Sequence, residues 1–414
     1  MFPWQDTLQL MVRGVIAAYG QPMFWLVVVL IAYQYRQVQK GQKRMFGIET
    51  FSVSQQVIIA VSLGSAGGIV GGFLLMVVGV DINQLGFSYI WPVAILLMAI
   101  NMRYLCFAYA GGLVALSKAL FGWPNVDVPQ VLMLVAILHI TESILIVMSG
   151  RFGSMPAIVR RKDGQMVGAF NLQNFWPLPL LVMSAMAVPD ANVPSSVINM
   201  PDWWPLLPVA LAPEGHKWMY SMIPVVAALG YTDLAIASSP QGRRRRSGLY
   251  LGAYSIILLT LALLSVHYHW LQLIAALASP LGHELLVQLD SKRELEGIPR
   301  YVPPPQGVMI LDTVIDSPAY KAGLKPGDIL LNLHGITVDA PSQLADALTL
   351  VPAVFVLELM RNGRIMQRKV GLAKGLILGV ILVPSGNEIQ YIELVEDKIW
   401  IVEWFKRKVG KDKQ

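Results

Sequence analysis

The chain has 414 residues, of which 55% are hydrophobic and only 14% charged, and its mean hydropathy is +0.55. Soluble domains average roughly 45–50% apolar and roughly 25% charged residues, so this composition excludes a soluble globular protein and points to a polytopic membrane protein. The net charge of +6 is no sign of nucleic-acid binding, because the cations cluster beside apolar runs, where they read as orientation signals.

A spanning helix needs about 20 mostly apolar residues. Candidate spans lie near 15–35, 57–80, 86–101, 104–121, 130–149, 174–188, 218–238 and 248–266, with a ninth near 270–287. The first reads as a retained anchor, since no small-residue cleavage site precedes the basic stretch after it. About eight spans, between seven and nine, therefore occupy residues 1–288. The basic stretches RQVQKGQKR (36–44), RRK (160–162) and RRRR (243–246) face the cytoplasm by the positive-inside rule. The connection 189–216, with Asp190, Asp202, Glu214, Trp203 and Trp204, reads as an outside loop with an interfacial aromatic belt.

Within the spans, GSAGGIVGG (64–72) sets small residues at helical repeats, which lets another helix approach closely. His139 and Glu142 lie three apart and share one helical face. The plain reading is an interhelical hydrogen bond; a proton site or a metal site is the sharper one. The lone cysteine, Cys106, excludes an intrachain disulfide. Between two spans, MPAIVRRKDGQMVGAFNLQNFWPLP (155–179) places Asp163-Gly164 between β-type residues. That arrangement predicts a cytoplasmic hairpin near 151–175, ending at Phe175-Trp176 on the membrane surface.

At the end of the apolar half stands SPLGHELLVQLD (279–290). A zincin helix needs H-E-x-x-H, with two histidines on one face to hold zinc, but the second histidine position is Val287. His283 and Glu284 alone form no catalytic zinc site. No catalytic residue, metal ligand or cofactor is expected.

The charged and then proline-rich stretch 289–306 suits a linker. In DSPAYKAGLKPGDILLNLHGITV (316–338), Ser317-Pro318 start a short helix, Gly323 ends it, and 329–333 form a strand. Residues 340–351 place Leu344, Leu348 and Val351 on one helical face, and Asn362-Gly363 joins two further strands as a hairpin. This order and the motif resemble a bacterial-type PDZ domain, a small α+β fold, over 307–372; the family's S-P-A-x-x-A-G-L-x-x-G-D pattern is followed closely, with His334 where the family has asparagine. The resemblance implies a peptide groove between Gln306, Gly307, Val308, Met309 and Ile310 and the helix face bearing Leu344 and Leu348. There an extended peptide adds as a strand. Pro304 and Gln306 depart from the family's carboxylate-binding loop, so an internal peptide or a partner's loop stands beside a free C-terminus as ligand.

In the extension 373–414, LILGVILVP (376–384) is too short to span and can extend the sheet. KIWIVEWFKRKVGKDK (398–413) reads as a basic amphipathic tail attracted to anionic lipid. Taken with the early spans, GAFNLQNFWPLPLL and SPLGHELL, the whole chain resembles the MinJ family of bacterial division-site determinants. That resemblance implies a non-enzymatic multi-pass cell-membrane adaptor with a cytoplasmic PDZ domain, linking DivIVA to MinC and MinD. The alternative is a degenerate or divergent relative of the site-2-type intramembrane metalloproteases.

Overall fold

The computed structural model describes residues 2–394 apart from 49, 190, 192–197, 208–211, 374–376, 387 and 389. The tail at 398–413 lies outside the described residues. Helices α1 (Trp4–Tyr19) and α2 (Pro22–Phe46) meet at 72°, so the continuous span expected at 15–35 is broken. Pro22 accounts for the break: it lacks an amide proton and sits in the first turn of α2, where that proton has no helical partner. Helix α3 (Val53–Val78) starts at a reciprocal cap, in which Ser52 Oγ accepts from the Gln55 amide and Gln55 accepts from the Ser52 amide. Helices α4 (Phe87–Ile100) and α5 (Phe107–Phe121) are apolar but short, and α6 (Val128–Met148) is capped by Asp127 and buried along most of its length.

Two of the expected spans are not helices. Residues 166–189 and 216–235 form strands β2 (Met166–Pro189) and β3 (His216–Ala235), paired antiparallel from Phe170↔Ala235 to Pro189↔His216. Pro177 and Pro179 explain why 174–188 cannot be a regular helix, since two interior prolines remove amide donors and clash with the preceding turn. Strand β1 (Ser154–Arg160) pairs with β2 only up to Leu172, so both prolines fall where β2 has one strand neighbour. The turn between β1 and β2 holds Gly164 at φ +84°. From it β2 runs well past the Phe175-Trp176 end expected for the hairpin.

The small residues of α3 receive this strand on one side and helix α6 on another, where a Cβ on Gly67 would meet Leu145 at 2.9 Å and one on Gly71 would meet Thr141 at 2.9 Å. A Cβ on Gly64 would lie 2.2 Å from the Pro177 carbonyl oxygen, one on Gly68 2.5 Å from that of Pro179, and one on Gly72 3.0 Å from the Leu181 amide. The periods match: four helical residues rise about 6 Å, and two strand residues rise about 6.6 Å. Every second residue of β2 therefore meets every fourth residue of α3. Backbone that is not helical is tolerated beside spanning helices only where protein covers it, and most of β2 up to Ser184 is buried.

Helix α7 (Pro240–His267) begins at a Ser239 cap, and α8 (Trp270–Glu296) follows. Among the described residues four helices, α3, α6, α7 and α8, are long and apolar enough to cross a membrane, or five if the bent α1–α2 pair is one span. The expected eight is corrected by the two strands and the two short helices. The linker is corrected too: residues 289–296 continue α8, because Asp290 and Glu294 are buried ion-pair partners and not solvated linker residues.

The C-terminal region is a second sheet. It contains β4 (Val308–Thr313), helix α9 (Pro318–Lys321), β5 (Ile329–Leu333), β6 (Ile336–Thr337), helix α10 (Pro341–Leu350), β7 (Val354–Arg361), β8 (Arg364–Gly371) and β9 (Val380–Leu382), in the order β8-β7-β5-β4-β9, with β6 on β5. The unit extends past 372, because β9 completes it. A short strand, β10 (Ile392–Glu393), leaves this sheet and pairs in parallel with β1.

Candidate functional site

Strand β4 has both edges occupied. Val308 and Met309 pair with β5, and Ile310, Asp312 and Thr313 pair with β9. Gly307, at φ +79°, gives its amide to Asp339 Oδ1 at 2.9 Å, and Ile310 gives its amide to the Asp328 carbonyl. The groove expected along Gln306, Gly307, Val308, Met309 and Ile310 is therefore corrected: Val308, Met309 and Ile310 are already paired within the sheet and the Gly307 amide is bonded to Asp339. Val308, Ile310 and Leu344 are core residues, with Leu348 packed against them.

Among the described residues the sheet ends at β8 on one side and at β9 on the other, and β9 is the end that packs with α10. Val383 donates its amide to Met309 and Val314 donates to Gly379, which brackets the Ile310↔Leu382 and Thr313↔Val380 pairs. In such pairs the facing residues do not bond each other, so the main-chain N–H and C=O of Val380 and Leu382 point away from β4. Their side chains share an apolar cluster with Leu344, Ala347 and Leu348 of α10. Ile381 and Val383 turn to the opposite face and join Tyr301, Leu311 and Phe170 of the main core. Strand β9 thus offers an edge while fastening the second sheet to β2. The sequence signal was the apolar run 376–384 with Gly379 inside it, which needs φ +79° and whose Cβ would fall 2.3 Å from Ser317.

Docking between the sheets is polar as well as apolar. Gly168 donates its amide to the Tyr301 carbonyl at 2.8 Å, and a Cβ there would meet Leu311 at 2.9 Å. Arg151 pairs with Asp312 at 3.2 Å. Burial pushes the Asp312 carboxyl up to about 6, against the opposing pull of the Thr313 amide and Arg151. Arg161, in the β1–β2 turn, bonds the Gly297 carbonyl at 3.3 Å.

The RRRR run is not a solvated loop but the first turns of α7. Arg243 pairs with Asp233 at 2.8 Å and with Asp290, while Arg246 pairs with Asp290 at 3.1 Å and with Glu294. Glu294 also accepts from the amides of Ile236, Ala237 and Ser238. Arg244 is buried, bonds Asn174 and lies over the ring of Tyr231. This network locks the end of β3, the start of α7 and the end of α8 together.

A third polar cluster lies among α5, α6 and α8. Glu284 accepts from Arg103, from Tyr109 at 2.7 Å and from Gln288 at 2.6 Å. That carboxylate is fully engaged and is not a free base. His139 and His283 both approach Cys106, a grouping that no local motif announces, because the histidines stand 33 and 177 residues from the cysteine.

No family model matches the chain. It is 24% identical over 394 residues to the cell division topological determinant MinJ of Bacillus subtilis, an alignment covering 89% of this chain and 93% of that protein. A match of that extent takes in most of both the helical half and the C-terminal sheet, and it supports a MinJ-like relationship.

Proposed function

We propose that this chain is a non-enzymatic membrane adaptor of bacterial division-site selection, which holds partner proteins at the membrane through a strand-accepting edge. The carrying observation is the open edge of β9, whose Val380 and Leu382 main-chain groups point away from β4 beside the apolar face of α10. An extended peptide seated there gains main-chain hydrogen bonds from β9 and side-chain contacts from Leu344 and Leu348. The strand order, the SPAYKAGLKPGD motif and the two short helices support reading β4 to β9 as a PDZ-type domain spanning about residues 300–383.

The cytoplasmic side is the proposed location of this domain. Arg160 ends β1, Arg161 and Lys162 follow in the β1–β2 turn, and Arg161 reaches the backbone just before the domain, so the positive-inside rule supports a cytoplasmic side for both. The likeness to MinJ supports partners of the division apparatus, and by the family resemblance these are DivIVA and the MinC–MinD pair. The metalloprotease reading lacks support: Val287 stands where the second histidine is needed and Glu284 is engaged by three donors.

The test is co-flotation. The full chain reconstituted in anionic vesicles is mixed with purified DivIVA or MinD, alongside a Leu382→Pro chain. Retention of either partner by the wild type and its loss with Leu382→Pro supports the proposal; equal retention by both chains, or by neither, refutes it.

A further inference from the structure

Three chemistry-bearing side chains converge in the helical half without a role in the adaptor reading. Cys106 is the N-cap of α5, His139 lies midway along α6, and His283 lies on α8. The Cys106 Sγ is 3.2 Å from His139 Nε2 and 3.8 Å from His283 Nε2, and the three donor atoms lie within 4.8 Å of one another. His139 is 2% exposed, and the other two are half-buried.

Hydrogen bonding fixes which ring nitrogens face the sulfur with lone pairs. His139 Nδ1 is 2.7 Å from the Val135 carbonyl, which can only accept, so that nitrogen carries the proton. His283 Nδ1 lies 3.3 Å from the Tyr109 hydroxyl, whose own proton goes to Glu284, so His283 Nδ1 is again the donor. Both Nε2 atoms then present lone pairs to one sulfur. A thiol has a single proton and can satisfy one of them. The sulfur also accepts from the Ala108 amide at the start of α5, at 3.5 Å.

We propose that Cys106, His139 and His283 bind one transition-metal ion, of the zinc or copper(I) type, that clamps α5, α6 and α8 together. Zinc–sulfur and zinc–nitrogen bonds of about 2.3 and about 2.0–2.1 Å at a tetrahedral angle separate S from N by about 3.6 Å, and the observed 3.2 and 3.8 Å bracket that value. Thiolate with imidazole is the donor set that selects zinc and copper over magnesium or calcium. The Val135 carbonyl and the Tyr109–Glu284–Arg103 chain supply the outer contacts that orient ligating histidines. Three protein ligands leave a fourth position for water or an exogenous donor. The clamp is independent of the β9 edge.

The test uses the full chain purified in detergent, stripped with chelator and titrated with Co²⁺, followed by competition with Zn²⁺ and, under anaerobic conditions, Cu⁺. Uptake of one equivalent with a near-ultraviolet sulfur-to-cobalt band, lost in Cys106→Ser and weakened at least tenfold in His283→Gln, is the expected result. Displacement by Zn²⁺ or by Cu⁺ identifies the ion. Circular dichroism confirms that both variants fold, and both replacements are close in size to the originals. Wild type that takes up none of the three ions, as for a bare thiolate–imidazolium pair, overturns the proposal. So does a cobalt band that persists in Cys106→Ser.

Discussion

Asp312 is the group through which pH should reach the junction of the two sheets. It is 2% exposed, paired with Arg151 at 3.2 Å, and raised by burial from 3.8 to about 6. A carboxyl whose pKa is higher in the closed state favours closure most strongly below its free value, and that contribution is lost as pH rises through about 6. Taking 3.8 for the opened state, roughly half of a contribution of about 3 kcal/mol is lost by about pH 5 and nearly all of it by about pH 7.5. The difference, between about 1 and about 2 kcal/mol, is roughly a tenfold shift in the opening equilibrium. Hydrogen exchange at the Gly168 amide, which is bonded to Tyr301 across the junction, reads that opening once corrected for the intrinsic exchange rate. The wild type should show roughly tenfold less protection at about pH 7.5 than at about pH 5. Asp312→Asn, which cannot ionise, should abolish the difference and retain high protection throughout. A flat wild-type profile, or the same slope in Asp312→Asn, refutes the assignment.

Other expectations concern packing and recognition. Gly68→Leu, whose Cβ would fall 2.5 Å from the Pro179 carbonyl oxygen, should abolish monodisperse protein in gel filtration, whereas Gly41→Ala, with nothing within 4 Å, should behave as wild type. Asp290→Asn removes a carboxylate shared by buried Arg243 and Arg246; breaking such a pair costs about 3–5 kcal/mol, so the melting temperature should fall by several degrees, and an unchanged one would contradict the locking role. Leu382→Pro deletes one outward amide of β9 and the Leu382 packing against α10 but none of the main-chain bonds from β4, so peptide affinity should drop at least about two- to tenfold, with circular dichroism showing the fold retained. Affinity equal to wild type would place the peptide elsewhere.

The parts of this fold legible in the sequence are those set by local chemistry. Asp163-Gly164 marks a turn, Ser317-Pro318 starts a helix, and Asn362-Gly363 closes a hairpin, because each needs only its neighbours. The runs 174–188 and 218–238 read as spans in the sequence, since hydrophobicity alone cannot separate an apolar strand from a spanning helix. Pro177 and Pro179, two apart, were the overlooked sign, as was the match between their spacing and that of Gly64 and Gly68. The sulfur and two imidazoles of the internal cluster come from three helices, so only tertiary packing could assemble them. The proposed peptide edge lies one strand away from the motif for a topological reason: β4 carries the motif-proximal apolar residues, but β9, arriving from beyond residue 372, covers its edge and is the outer strand.

The central claim is that this membrane-held sheet edge positions partners where the cell divides. Septum placement in the bacterial host tests it most directly, comparing cells that lack the chain with cells complemented by fluorescent wild type or Leu382→Pro. Wild type should gather at the septum and restore midcell division, whereas the null and Leu382→Pro cells should divide off-centre. Uniform membrane fluorescence with midcell septa in every strain would contradict the account.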